Sequence, residues 1–151
     1  MLETSLLEIT HGAAALPGFV LERASKRMKQ YFQEQLVKSG CGITIDQWVI
    51  LQELNEQDGL SQFEIAQATF KDAPTVTRII DLLCEKELTK RILDNADRRK
   101  FRIELTEKGR QKIAEALPVM EQAREKTWQG FDEQKLEALM QMLNEVFENL
   151  K

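Results

Sequence analysis

The run Lys100-Phe101-Arg102-Ile103-Glu104-Leu105 alternates strictly between polar and apolar residues, placing Phe101, Ile103 and Leu105 on one face. A period of two belongs to a strand, whose successive side chains point to opposite faces. In most of the remaining chain the apolar residues recur three and four apart, which is the period of a helix. Just upstream, "LTKRIL" (88–93) supplies a partner strand, and "DNADRR" between the two is rich in turn formers. Residues 88–105 therefore read as one hairpin, with Arg98 and Arg99 at or beside its tip. The fold class that follows is mainly α with a small β-hairpin.

The helices can be placed by their start and stop signals. Pro17 opens a long stretch with Leu21, Ala24, Met28, Tyr31/Phe32 and Leu36 in helical rhythm, broken by the glycines of "KSGCG" (38–42). Thr44 with Gln47 is a capping box, in which side chains and backbone satisfy each other's unpaired groups at a helix start. That helix carries Ile45, Trp48, Leu51 and Leu54 on one side and ends at "QDGL". Ser61 with Glu64 is a second capping box, opening a short helix to about Thr69. Asp72 is a good N-cap for the next helix, and Pro74 is tolerated in its first turn, where amides have no intrahelical partner. Val76, Ile79/Ile80 and Leu83 form its buried stripe.

Beyond the hairpin, Thr106 caps a long helix running through Ile113, Leu117, Met120 and Trp128, with a kink expected at Pro118. After "QGFD" a last helix spaces Leu136, Leu139, Leu143, Val146 and Leu150 alternately three and four apart, a coiled-coil seam. The loops are short, and 1–151 reads as a single domain.

Several classes of chemistry lack their residues. Cys41 and Cys84 have no metal-ligand spacing, and the single histidine is His11. A zinc site lacks ligands and a histidine-based nucleophile pair has one candidate base, so no catalytic residue, metal or cofactor is expected. No apolar run reaches the roughly 20 residues a membrane helix needs, and Met1-Leu2-Glu3 does not read as a signal peptide. A cytoplasmic chain with no membrane partner is the expectation.

The net charge of −4 argues mildly against a nucleic-acid partner, but a total says nothing about distribution. Residues 61–102 carry nine Lys/Arg against seven acidic residues, while the rest of the chain carries 12 against 18. Positive charge gathers in the middle, most sharply at Arg98, Arg99 and Lys100.

That middle segment has a recognisable arrangement: a short capped helix, a turn, then a second helix beginning with small polar residues. Such a unit puts the start of its second helix into the DNA major groove. Pro74, Arg78 and Asp81 share a face away from Val76, Ile80 and Leu83, flanked by Thr75 and Thr77. Arg suits bidentate contact with guanine, and Thr can meet a thymine methyl or a phosphate. Taken alone, the same pattern also describes an ordinary helical corner with solvated polar residues. The hairpin that follows at once favours DNA: a ribbon carrying guanidiniums can lay its tip along a minor groove, whose negative potential attracts Arg. Asp97 is placed to accept hydrogen bonds from Arg99 and hold it in one pose.

With "ITIDQWVILQEL", "LSQFEIAQAT", "PTVTRIIDLLCEKELTKR" and "DRRKFRIELTEKG" in this order and spacing, the chain resembles the MarR family of winged helix-turn-helix transcriptional regulators over about residues 17–150. The resemblance implies a winged helix-turn-helix lobe (44–105) and a helical dimerisation lobe (17–40 and 106–150). It further implies a homodimeric repressor that reads a near-palindromic site in double-stranded DNA. Carried onto this chain, the recognition-helix contacts are Pro74, Thr75, Thr77 and Arg78. Ser61 and Gln62 meet phosphate at a helix N-terminus, and Arg99 is the minor-groove residue, oriented by Asp97 and flanked by Arg98 and Lys100. One position departs from the pattern: Glu87 stands where the family usually has Gly, at a cost of about 1 kcal/mol if its backbone is left-handed.

Family members commonly release DNA on binding a small aromatic or phenolic ligand between the two lobes. Met28, Phe32, Trp48 and Met120 are candidates to line such a pocket, but core and dimer packing is the favoured reading, because a helical interface needs large apolar groups there. Two other readings stay open. One is a thiol switch at Cys41, whose sequence neighbours offer only Lys38 to favour a thiolate. The other is a helical dimer whose winged helix contacts protein rather than DNA.

Overall fold

The computed structural model describes residues 16–151, so His11 and the reading of the first residues lie outside the described part. It contains six helices, α1 Pro17–Ser39, α2 Ile45–Glu56, α3 Gln62–Thr69, α4 Ala73–Glu85, α5 Glu107–Thr127 and α6 Glu133–Asn149. The strands are β1 Leu60–Ser61, β2 Thr89–Leu93 and β3 Phe101–Leu105.

Local chemistry sets the boundaries. At the start of α2 the Thr44 hydroxyl accepts from the Gln47 amide at 3.1 Å, while the Thr44 amide donates to Gln47 Oε1 at 3.2 Å. Ser61 and Glu64 make the same reciprocal pair at α3, at 3.2 and 2.8 Å. Helix α1 stops where Gly40 turns left-handed. Two non-glycine residues adopt that conformation as well, Phe70 after α3 (φ 52) and Glu87 after α4 (φ 62).

The hairpin does not stand alone. Leu60 and Ser61 pair with Ile103 and Arg102, so the sheet is three-stranded and antiparallel in the order β1-β3-β2. A strand of two residues is too short for alternation to register in the sequence. In the hairpin, Thr89 faces Leu105 and Leu93 faces Phe101. The alternating face is buried at Ile103 and Leu105 only. Phe101 is 46% exposed opposite Leu93 at 53%, because this end of the ribbon runs out past the helices.

The other end is pinned. Asp58 Oδ1 accepts the amides of Gly59 and Leu105 at 3.1 and 2.9 Å, and its Oδ2 accepts from Arg110 at 3.0 Å. The Thr106 amide donates to the Leu88 carbonyl at 3.1 Å. Turn, strand and the start of α5 are thereby fixed to one another.

One core lies beneath the sheet, built from Ile50, Leu51 and Leu54 of α2, Ile65 of α3, Val76, Ile80 and Leu83 of α4, and Ile103. It extends through Leu36 of α1 to Ile113, Ala116 and Met120 of α5. Helix α5 runs as one element through Pro118. Helix α6 buries none of its residues, and its apolar side chains Met140, Leu143, Val146 and Phe147 are exposed. No helix of the described residues is long and apolar enough to cross a membrane.

Candidate nucleic-acid interface

Helix α4 owes its orientation to its inner stripe. Val76, Ile80 and Leu83 are fully buried, which turns Pro74, Thr77, Arg78 and Asp81 outward and leaves Thr75 half-buried. Its start is fixed by Asp72, whose carboxylate accepts the Thr75 amide at 2.8 Å. That hydrogen bond, with one from the Thr75 side chain, holds the Asp72 carboxyl below its usual range. A capped N-terminus with exposed Pro, Thr and Arg is what a groove-entering helix needs.

A chain of hydrogen bonds connects this helix to its neighbours. Thr77 Oγ1 accepts from Gln62 Nε2 at 2.9 Å and donates to the Ala73 carbonyl at 3.0 Å. Gln62 Oε1 accepts from Arg91 Nε at 3.3 Å, and the Arg91 guanidinium is bonded to Asp81. Gln62 of α3, Thr77 and Asp81 of α4, and Arg91 of β2 thus form one network. Sequence reading counted Arg91 only as one of nine charges. It sits opposite Ile103 at the middle of β2, away from the tip.

The tip is closed by backbone bonds from Asp94 to the Lys100 carbonyl and from Lys100 to the Asp97 carbonyl, each 3.0 Å. Asp94 accepts the Ala96 amide at 2.8 Å, and this bond, with help from Arg102, holds its carboxyl low. Asp97 Oδ1 accepts from the Arg99 amide at 3.0 Å and from Arg99 Nε at 3.4 Å. The Arg99 side chain is nonetheless 92% exposed, a guanidinium tethered at its root with its far nitrogens facing outward. Arg98 and Lys100 are exposed beside it.

The tip stands next to α3. A recess of about 290 Å³ is lined by Ser61, Gln62, Phe63, Arg99, Lys100 and Phe101. Four of the residues expected to contact DNA therefore border one recess. At this helix start the capping box already takes the amides of Ser61 and Glu64.

Of the two readings of Met28, Phe32, Trp48 and Met120, the structure favours packing over a ligand pocket. Trp48 (3% exposed) and Met120 (2%) are core residues, Phe32 packs against the core, and Met28 is half-buried. The physical reason is that Phe32, Trp48 and Met120 pack into the core that joins α1, α2 and α5. A different cleft, of about 520 Å³, opens between α1, α2 and α4 and is lined by Lys26, Lys29, Asp46, Arg78, Ile79 and Leu82, among others. Asp46 accepts from Lys29 at 3.1 Å and Lys71 at 2.8 Å. Partial burial works to raise its pKa, but the two ammonium groups outweigh burial and hold the carboxyl below its usual range.

Cys41 is 1% exposed, with its thiol donating to the Leu36 carbonyl at 3.8 Å. A buried thiol of this kind is packing, out of reach of an oxidant in solvent. Cys84 is half-buried against the Thr89 hydroxyl, at 3.3 Å.

Comparison with known proteins agrees with this geometry. Residues 43–101 match the MarR family model. The repressor NicR of Pseudomonas putida is 29% identical over 132 residues, spanning 87% of this chain and 82% of NicR. BpsR of Bordetella bronchiseptica, whose DNA binding is regulated by 6-hydroxynicotinic acid, superposes with a TM-score of 0.82 at 30% identity, covering 91% of this chain and 96% of BpsR. MepR of S. aureus, in its complex with DNA, superposes with a TM-score of 0.79 at 25% identity, over 90% of this chain and 97% of MepR. With matching motifs, fold and relatives, the chain belongs to the MarR family of winged-helix, DNA-binding transcriptional regulators.

Proposed function

We propose that the protein is a homodimeric repressor that grips a near-palindromic site in double-stranded DNA and lets go when a small aromatic acid binds. The observation that carries this reading is the side-by-side placement of Ser61, Gln62, Arg99 and Lys100 around one recess, next to the exposed face of α4. In this reading Pro74, Thr75, Thr77 and Arg78 enter the major groove and Arg78 contacts a base edge. Arg99, held by Asp97, enters the minor groove with Arg98 and Lys100 on the flanking phosphates. Ser61 and Gln62 approach a phosphate at the start of α3.

Residues 17–40 and 106–150 form the dimerisation lobe around the winged helix of 44–105. The unburied apolar seam of α6 supports a partner copy, because monomeric proteins rarely leave so long an apolar stripe in water. Repression is supported by the likeness to NicR, and ligand control by the likeness to BpsR. The cleft between α1, α2 and α4 is the place for that ligand: Lys26, Lys29 and Arg78 suit a carboxylate, and Ile79 and Leu82 suit a ring. Arg78 borders both this cleft and the DNA-reading face, so a ligand that engages it there disfavours the DNA-bound state.

The test is binding to duplex DNA from upstream of the protein's own gene, against scrambled duplex, for wild type and Arg99→Ala over a salt series. Selective binding with log K falling by roughly 0.9 per phosphate contact on log salt is expected, weakened by Arg99→Ala and relieved by 6-hydroxynicotinic acid or a related aromatic acid. Binding that is weak, salt-insensitive and equal on every duplex would instead point to a protein partner for the winged helix.

A further inference from the structure

The network at the base of α4 restricts what Thr77 can say to DNA. A threonine hydroxyl has one hydrogen to give, and that of Thr77 goes to the Ala73 carbonyl at 3.0 Å. Its oxygen already accepts from Gln62 Nε2 at 2.9 Å. Gln62 cannot turn away from this duty, because flipping its amide would set an NH2 group against Arg91, whose Nε lies 3.3 Å from Gln62 Oε1. Arg91 is in turn fixed by its bond to Asp81. The Thr77 hydroxyl therefore has no hydrogen left to donate, and one of its two lone pairs is taken.

Phosphate oxygens, guanine O6 and N7, adenine N7 and thymine O4 are all acceptors, and Thr77 has no hydrogen left for any of them. A third bond to an oxygen that already makes two is a poor way to read an amino group. What remains on this exposed side chain is one crowded lone pair, which can only accept, and its methyl. The apolar group that the major groove offers in return is the 5-methyl of thymine.

We propose that Thr77 is a specificity-determining residue that reads a thymine through methyl–methyl contact, with Gln62 and Arg91 acting as positioning residues that keep its hydroxyl occupied. This rests on the reading of α4 as the major-groove helix, and the experiment separates the two claims. A preferred duplex is first selected from a randomised pool with the wild-type protein. Each thymine of that duplex is then replaced singly by deoxyuridine, which deletes the methyl and nothing else.

Wild type is expected to lose about fourfold in affinity at one thymine per half-site, the factor that burying one methylene-sized group supplies. Thr77→Ser keeps the hydroxyl and its two bonds but lacks the methyl; it should bind thymine and uracil duplexes equally at that position. Thr77→Val, which keeps the methyl, should still distinguish them. A selected duplex whose affinity is indifferent to uracil everywhere, or a Thr77→Ser protein with the wild-type pattern, overturns the proposal while leaving DNA binding intact. Failure to select any duplex would overturn the DNA reading itself, and this proposal with it.

Discussion

Two backbone positions at the foot of the wing show why the family motif has the residues it has. In Leu105-Thr106-Glu107-Lys108-Gly109, a Cβ on Gly109 would stand 2.1 Å from the Leu88 carbonyl oxygen. No side chain fits there, and the oxygen belongs to the backbone that carries the hairpin. Gly109→Ala is expected to destabilise the protein by roughly 3 kcal/mol, the upper range for overpacking, and to lower the midpoint of thermal unfolding by on the order of 10 °C. Glu87 is the opposite case. Its φ of 62 is the conformation in which glycine relieves strain, as the sequence comparison with the family anticipated. Glu87→Gly should relieve roughly 1 kcal/mol of strain and lose about half of that to the greater freedom of the unfolded chain. A rise of about 1–2 °C in the unfolding midpoint is the expected calorimetric result, and a fall would mean that the Glu87–Lys108 pair matters more than the backbone.

At the scale of elements, what the sequence made legible is what local chemistry decides. The capping boxes at Thr44 and Ser61, the Asp72 cap and the alternation through Ile103 and Leu105 each act over a few residues, and each appears in the structure as read. What escaped is what depends on residues far apart. β1 is defined by its pairing with β3, Asp58 by the Leu105 amide 47 residues away, and Arg91 by Gln62, 29 residues away. Phe101 looked like core because alternation reports a face and not how far the core extends beneath it. The cleft was missed for the same reason: its lysines sit on a solvated face of α1 and gain meaning only when α4 closes over them.

Asp46 ties three elements, accepting from Lys29 of α1 and from Lys71 in the turn between α3 and α4. Its carboxyl is held below the ordinary 3.8, so its contribution is present above that pH and fades as pH falls through the lower folded value. Asp46→Asn should lower stability at pH 7 by less than about 1 kcal/mol, since the site is partly solvated, and the difference from wild type should vanish on acidification below 3.8. A deficit that persists unchanged at low pH would assign it to packing instead.

For the whole molecule, the uneven burial of its helices is the governing fact. One core joins the winged helix to the inner faces of α1 and α5, whereas α6 keeps Leu143, Val146 and Phe147 in water. In the proposed dimer these positions meet their counterparts, so Leu139→Glu with Leu143→Glu should yield a monomer by sedimentation. With one winged helix per molecule, affinity for the two-half-site duplex should drop by on the order of a hundredfold, the loss of effective concentration between linked sites. Affinity for an isolated half-site should barely change, which distinguishes a broken dimer from a damaged reading head.

Dimerisation through a helix with no buried residue in its own chain would also make the fold answerable to abundance. In the proposed dimer each α6 completes its packing only when a second copy arrives, so the protein's resistance to unfolding should rise with its concentration through mass action. Dilution then acts as a denaturant would on this lobe first. In a cell, the first copies synthesised would carry an unfinished C-terminal helix exposed to proteases, and the population would become durable only past a threshold number of molecules.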